Sequence, residues 1–192
     1  MSLFGSLSEN EFFDNYWRKK PLLIRGGVKN FCENIPTSAE YDKATKILEE
    51  KGLNYVSRDG DKVIFTRNLE QALEGMENYI EKIKQIFKWS DISIDGVKAQ
   101  NSRSIGSHFD HSDNFVLNIH GKKIWRLHPA DFIPNNILRR RLRDEANIGK
   151  APMPKNCIEW ELLDGDLLYI PLFWVHWGVS SGNSYSISVA LN

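Results

Sequence analysis

From residue 91 to residue 192 the chain is cut into short runs suited to β-strands: "DISIDGVKAQ", "NFVLNIHG", "KKIWRLHP", "NCIEWELL", "DLLYIP" and "SYSISVALN". Each is rich in β-branched or aromatic residues, and Gly, Asp, Asn or Pro divide them. Six such strands at close spacing predict a barrel or jelly roll, because short strands bury their apolar faces best when the sheet closes on itself. Residues 130–156 break the rhythm. There "NNILRRRLRDEANIGKAPMP" reads as a helix and a Pro-rich loop inserted into the barrel.

The first 90 residues carry a different pattern. Ser8 and Glu11 form a capping-box signature for a helix through "SENEFFDNYWRKK", which Pro21 stops. "LLIRG" at 22–26 follows as a short buried strand. Residues 38–51 read as a helix with Gly52 as its stop, and "LNYVSRDGDKVIFT" alternates around Asp59 and Gly60 as a hairpin. From 69 to 89 the apolar residues Leu69, Ala72, Leu73, Met76, Tyr79, Ile80, Ile83 and Phe87 recur at helical spacing, which predicts one long helix with a core-facing stripe. The expectation is a single domain over 1–192: a helical and short-strand part at 1–90 laid against a mostly β core at 91–192.

Composition narrows the functional classes. Lys and Arg total 25 and Asp and Glu total 25, so no overall basic footprint marks nucleic-acid binding. The two cysteines, Cys32 and Cys157, share no short spacing with each other or with histidine, which argues against a disulfide framework and a Cys-rich zinc site. The N-terminus lacks the pattern of a signal peptide, and no run approaches the ~18 apolar residues of a membrane span. A cytoplasmic location is expected. "RRRLR" at 139–143 reads as a solvated helix face, since Asp144 and Glu145 follow; steering of an acidic partner or RNA is the competing reading.

One stretch concentrates chemistry. "GSHFDHSDN" at 106–114 holds two histidines, two aspartates and an asparagine. Taken as the start of a strand, it points His108 and Asp110 to one side and His111 to the other. His176, just past the strand in "GDLLYIPLFWVHWG", completes two histidines and one carboxylate. That set on one face of an octahedral metal leaves three positions open, as in non-haem Fe(II) oxygenases. Iron suits it best, with zinc and manganese as alternatives; zinc would want more nitrogen or sulfur donors. An isolated H-x-D arises often by chance, and the strand context with a second histidine is what raises it above that. His111 and Asp113 are expected to be solvent-facing or to sit behind the ligands, and His120 and His128 to be surface residues. Lys122 and Lys123 open the strand after Gly121, and alternation turns one of them inward to meet an anion. Trp125, Trp174 and Trp177 are expected to be core more than pocket wall.

"SHFDHSDNFVLNIHGKKIWRLHP" with "GDLLYIPLFWVHWG" resembles the JmjC/cupin-like Fe(II)- and 2-oxoglutarate-dependent oxygenases, and "FFDNYWRKKPLLIRGG" is similar to the entry segment of the same group. The resemblance implies a double-stranded β-helix (jelly-roll or cupin) core with an N-terminal helical layer, and a hydroxylase that converts 2-oxoglutarate to succinate. It implies Fe(II) on His108, Asp110 and His176. It selects Lys123, fifteen positions after the first of these, as the cation for the far carboxylate of 2-oxoglutarate. Asn114 corresponds to an asparagine near the cosubstrate, and Ser188, or Ser186, to a terminal-strand hydroxyl near the same carboxylate. Two positions depart from the pattern: no Tyr lies about a dozen residues before His108, and Ile105 stands where a Ser or Thr is common.

"IWRLHP" and the entry segment look like the ribosomal-oxygenase branch, whereas "SHFDHSDNF" and "LFWVHWGVSSGNSYSISVAL" look like the factor-inhibiting-HIF and tRNA-wybutosine hydroxylase types. The resemblance implies a protein or peptide substrate, a ribosomal protein among them, with tRNA or a small molecule as alternatives. Dimerisation and winged-helix regions of ribosomal oxygenases are not found after the last strand, which is expected to count against that branch; a homodimer remains open. The competing class is a non-oxidative metal-binding cupin, an isomerase or ligand sensor, which often uses three or four histidines with a Glu.

Overall fold

The computed structural model describes residues 3–31, 35–52, 56–60, 62–135 and 151–192. The expected "RRRLR" helix face at 139–143, most of the inserted segment and Cys32 lie outside the described residues.

The N-terminal elements form where local chemistry supports them. Helix α1 (Glu9–Asn15) opens with the Ser8–Glu11 capping box, and α3 (Ser38–Glu50) opens with a second one, Thr37 with Glu40. Between them lie strand β1 (Leu22–Ile24), half-buried rather than fully buried, and the short helix α2 (Val28–Phe31). Helix α1 ends six residues before Pro21, because Arg18 takes a left-handed conformation (φ 55°) that lets its backbone N–H donate to the Tyr169 hydroxyl at 2.8 Å. The hairpin forms as expected from β2 (Val56–Asp59) and β3 (Val63–Thr66).

The single long helix expected over 69–89 is broken in two. A 3-10 turn at Leu69–Gln71 precedes α4 (Glu77–Phe87), and Gly75 between them sits at φ +83°. Glu70 accepts from the Ile94 N–H at 2.9 Å and so ties the turn to the sheet. The apolar stripe survives this bend: Leu69, Leu73, Met76, Tyr79 and Ile83 are buried, and Ala72, Ile80 and Phe87 pack against them.

The β core comprises β4 (Ile92–Ala99), β5 (Asp113–His120), β6 (Lys123–Pro129), β7 (Ile158–Leu162), β8 (Leu167–Ile170), β9 (Trp174–Ser180) and β10 (Ser184–Leu191). With the N-terminal strands these make two antiparallel sheets, of order β1-β8-β5-β10-β4-β3-β2 and β7-β6-β9. This is the jelly-roll arrangement. Strand β9 is an addition to the six anticipated runs.

The large sheet uses its two faces differently, by the strict alternation of strand side chains. Phe115, Leu117, Tyr169, Tyr185, Ile187 and Val189 point toward the helical layer, where Phe12 stacks on Phe4 and meets Phe87, Phe115 and Tyr169. Gly96 is needed on that face: a Cβ there would fall 2.4 Å from the Tyr41 ring and 2.5 Å from Leu69. The opposite face meets the small sheet through Val116, Leu168 and Ile170 against Trp125, Leu127 and Leu162. Toward one end the two sheets separate around a cavity. No helix among the described residues is long and apolar enough to cross a membrane.

Candidate active site

The H-x-D motif does not start β5, as the sequence suggested. It occupies an extended segment ahead of that strand and pairs instead with β9. His108 and His176 form an isolated antiparallel bridge, exchanging backbone hydrogen bonds of 3.0 and 2.8 Å, and Phe173 N–H donates to the Asp110 carbonyl at 2.9 Å. His176 therefore lies inside a strand rather than just past one. Pairing sets the two histidines opposite each other, and the two-residue period brings Asp110 to the same side as His108. Nε2 of one ring lies 3.0 Å from Nε2 of the other. Asp110 Oδ1 is 3.8 Å from His108 Nε2, and Oδ2 is 3.5 Å from His176 Nε2. One donor atom from each of the three lies within 4.8 Å of the others, the right span for a single ion.

Both rings are poised as ligands. His108 Nδ1 is 2.9 Å from the Gly106 carbonyl, and His176 Nδ1 is 2.8 Å from that of Trp174. A carbonyl only accepts, so Nδ1 carries the proton and each Nε2 offers its lone pair to the cavity. Burial, reinforced by the neighbouring His108, pushes His176 down to about 4, keeping it neutral and able to coordinate.

The cavity has a volume of about 450 Å³, within the usual range for small-molecule sites. At one end lies Lys123. Alternation along β6 turns it inward, where it is 3% exposed, while Lys122 pairs with Glu161 on the outside. Lys123 Nζ donates to Ser186 Oγ at 2.7 Å, and no carboxylate among the described residues pairs with it. Burial alone lowers this ammonium to about 8. A buried cation without a counter-ion is costly, and an anionic ligand would offset that cost. Ser186, not Ser188, is thus the hydroxyl beside the lysine. Ser188 donates to Asn114 Oδ1 at 3.0 Å, and Asn114 Nδ2 donates to Asp110 Oδ2 at 2.8 Å, so both sit on the metal side of the cavity.

Asp113 is neither a ligand nor solvent-facing. It is completely buried and accepts from Tyr169 Oη at 2.7 Å, Arg18 Nε at 2.9 Å and the Leu172 N–H at 3.3 Å. That carboxylate joins the N-terminal segment to the loop that leads into β9. His111 is exposed and lies against Phe109 and Phe173 at the rim. Phe173, itself 38% exposed, is held at φ 61°. His120 is exposed beside Asp164, and His128 is half-buried, its Nδ1 2.7 Å from the Pro129 carbonyl. Of the three tryptophans considered, Trp125 lines the cavity, while Trp174 packs against the barrel core and Trp177 lies against Arg126.

The reading by motif missed the far wall, built from β3, the turn that follows it and β4: Phe65, Arg67, Asn68, Ser93 and Asp95. Burial raises Asp95 to about 6 even though its Oδ1 accepts from the Asn68 N–H at 3.1 Å. The sequence hid it, since Ile92-Ser93-Ile94-Asp95 alternates apolar and polar residues and so reads Asp95 as solvent-facing.

Residues 71–192 match the model of the JmjC domain. The chain belongs to the JmjC domain family. A probable ribosomal oxygenase of Haemophilus influenzae is 26% identical over 208 residues, covering 94% of this chain and 48% of that protein. The bifunctional lysine-specific demethylase and histidyl-hydroxylase NO66 of Drosophila grimshawi is 22% identical over 220 residues, covering all of this chain and 30% of that protein. Among solved structures, the ribosomal oxygenase YcfD from Escherichia coli superposes with a TM-score of 0.68 at 18% identity, over 97% of this chain and 51% of that one. YcfD in complex with cobalt and 2-oxoglutarate gives 0.64 at 17% identity, over 97% of this chain and 52% of that one. The shared fold is the jelly roll with its helical layer. The Haemophilus influenzae relative and YcfD carry the name of one branch considered from the sequence, and this chain spans about half of each relative's length or less.

Proposed function

We propose that this JmjC domain is an Fe(II)- and 2-oxoglutarate-dependent oxygenase that hydroxylates a C–H bond of a protein side chain. The observation that carries the reading is one cavity holding a His-Asp-His triad and, apart from it, a buried lysine with no carboxylate partner among the described residues. His108, Asp110 and His176 would hold the metal and leave three positions free. Lys123, with the Ser186 hydroxyl against it, would hold the far carboxylate of 2-oxoglutarate. When bound, the iron and 2-oxoglutarate would supply, with O2 as oxidant, decarboxylation of 2-oxoglutarate to succinate and CO2, one oxygen atom entering succinate and the other the substrate C–H bond.

The protein's own contribution is placement and exclusion of water. The two Nδ1–H···O=C hydrogen bonds fix ring orientation. Trp125, whose ring lies 5.9 Å from the His176 ring and 5.9 Å from Lys123 Nζ, puts an apolar surface between lysine and triad, which strengthens the lysine's hold on an anion. A ribosomal protein is the favoured substrate class, because relatives spanning nearly all of this chain are named ribosomal oxygenases.

Anaerobic titration tests the reading. Fe(II) followed by 2-oxoglutarate should raise a visible metal-to-ligand charge-transfer band, and His108→Ala or Asp110→Ala should abolish it. Lys123→Ala should weaken 2-oxoglutarate far more than the metal. Absence of the band in the unaltered protein, together with no 2-oxoglutarate consumed with any ribosomal-protein peptide, would sink the proposal.

A further inference from the structure

The Asp110 carboxylate is held by a chain of two side chains that belong to neither the metal triad nor the anion site. Asn114 Nδ2 donates to Asp110 Oδ2 at 2.8 Å, and Ser188 Oγ donates to Asn114 Oδ1 at 3.0 Å. Each link has only one workable direction. A carboxylate accepts, so the amide must turn its NH2 toward Asp110; its oxygen then faces Ser188, which must donate. Asn114 is 5% exposed, and its NH2 lies also within 3.3 Å of Ser112 Oγ and 3.4 Å of the Ser112 carbonyl. The amide is therefore clamped at both ends.

Sheet geometry places this chain. Asp110 stands on the segment bridged to the small sheet, whereas Asn114 and Ser188 project from β5 and β10 of the large one. Ser188 lies between Val116 and Asp95 in the ladder, and its hydroxyl bonds to Asn114 rather than to His108, Asp110 or His176. The relay spans the gap between the two sheets and ties the carboxylate to β5 and β10, each of which is paired with a strand on both sides.

Resting on the oxygenase reading above, we infer that Ser188 and Asn114 are positioning residues that hold Asp110 as a single-oxygen metal ligand. With Oδ2 engaged by the amide, the carboxylate is kept from swinging both oxygens onto the ion. Chelation by both would consume one of the three positions that a bidentate cosubstrate and O2 require. Ser188 thereby leaves the set of cosubstrate contacts and joins the metal's support.

Co(II) binding to the anaerobic protein is the test, read by calorimetry and by the visible ligand-field spectrum, with no turnover involved. Ser188→Ala should weaken Co(II) affinity about tenfold, the lower end of what loss of a supporting partner costs, and Asn114→Ala should weaken it more. Both should change the spectrum as the carboxylate gains freedom. Ser188→Thr, which keeps the hydroxyl, should restore affinity and spectrum. Melting temperatures of the metal-free variants should stay within about 4 °C of the unaltered protein, separating a metal effect from unfolding. Should Ser188→Ala melt much lower, Asn114→Ala with the Ser188→Thr comparison still decides. Unchanged affinity and spectrum in Ser188→Ala and Asn114→Ala, or failure of Ser188→Thr to restore them, overturns the relay. A chain that binds no Co(II) at all overturns instead the metal reading on which the relay depends.

Discussion

Strand β10 serves two purposes in eight residues. Tyr185, Ile187, Val189 and Leu191 are buried against the helical layer, while Ser186, Ser188 and Ala190 line the cavity. One face is filled with volume and the other with small hydrogen-bonding groups. The same division runs through β5, where Phe115 and Leu117 lie on the core side and Asn114 and Val116 on the cavity side. The outer face contributes stability through close packing. The ionisable groups on the inner face, Lys123 and Asp95, are desolvated, and burial disfavours their charged forms, so they cost stability.

Substitutions should therefore act with opposite sign on the two faces. Phe12→Ala, which removes the ring at the centre of the outer aromatic cluster, should destabilise by about 3–5 kcal/mol, seen as a lower urea midpoint. A loss below about 1 kcal/mol would erase the contrast. Asp113→Ala comes next, at about 2–3 kcal/mol, because it removes the acceptor of the Tyr169 O–H and of the Leu172 N–H; the partly exposed Arg18 recovers water and limits the loss.

On the inner face the sign reverses. Lys123→Met should stabilise the metal-free protein at pH 7 by about 1–2 kcal/mol while abolishing 2-oxoglutarate binding. The folded-state value of this ammonium, about 8, lies below its ordinary 10.5. Its penalty is thus fully present below about pH 8 and fades as pH rises to about 10.5. Urea curves at pH 7 and pH 10 should show the advantage of Met shrinking. Asp95→Asn should gain about 1 kcal/mol, with the opposite pH dependence. Asp95 is raised to about 6 from 3.8, so the gain is absent below about pH 3.8, grows through the interval and is complete above about pH 6. Equal stability of the Asn variant at pH 3.5 and pH 7 would contradict this assignment. The smallest effect belongs to Lys122→Ala, within about 0.5 kcal/mol and without influence on 2-oxoglutarate, since its exposed pair with Glu161 is a surface contact.

Motifs announced the metal triad better than they placed it. "HFD" and "WVHWG" identified the side chains that meet, but the sequence suggested that the first two begin β5 and that His176 follows a strand. The first error arises because the segment at 108–110 bridges to β9, the second because β9 pairs along its length with β6; both contacts join positions far apart in the chain. Lys123 could be separated from Lys122 by family spacing, and strand alternation then explains the choice. The long helix at 69–89 failed for a different reason. Helical spacing was real, and the stripe is core, but Gly75 and the tie from Glu70 to Ile94 bend the segment so that it follows a curved sheet. Asp113 looked like one more polar loop residue; only the arrival of Arg18 from one distant segment and of Tyr169 and Leu172 from another reveals a buried anchor.

By itself the sequence determined the class of fold and the chemical inventory. Period-two alternation broken by turn residues specifies strands, and two histidines, a carboxylate and a lysine specify what a cavity between them can bind. Tertiary structure decided partnership: which sheet receives the motif, that Ser186 meets Lys123, and that Ser188 reaches Asp110 through Asn114. Local spacing encodes the face on which a side chain lies. Its partner across the barrel is set by strand order and register, which depend on how the whole apolar surface is buried.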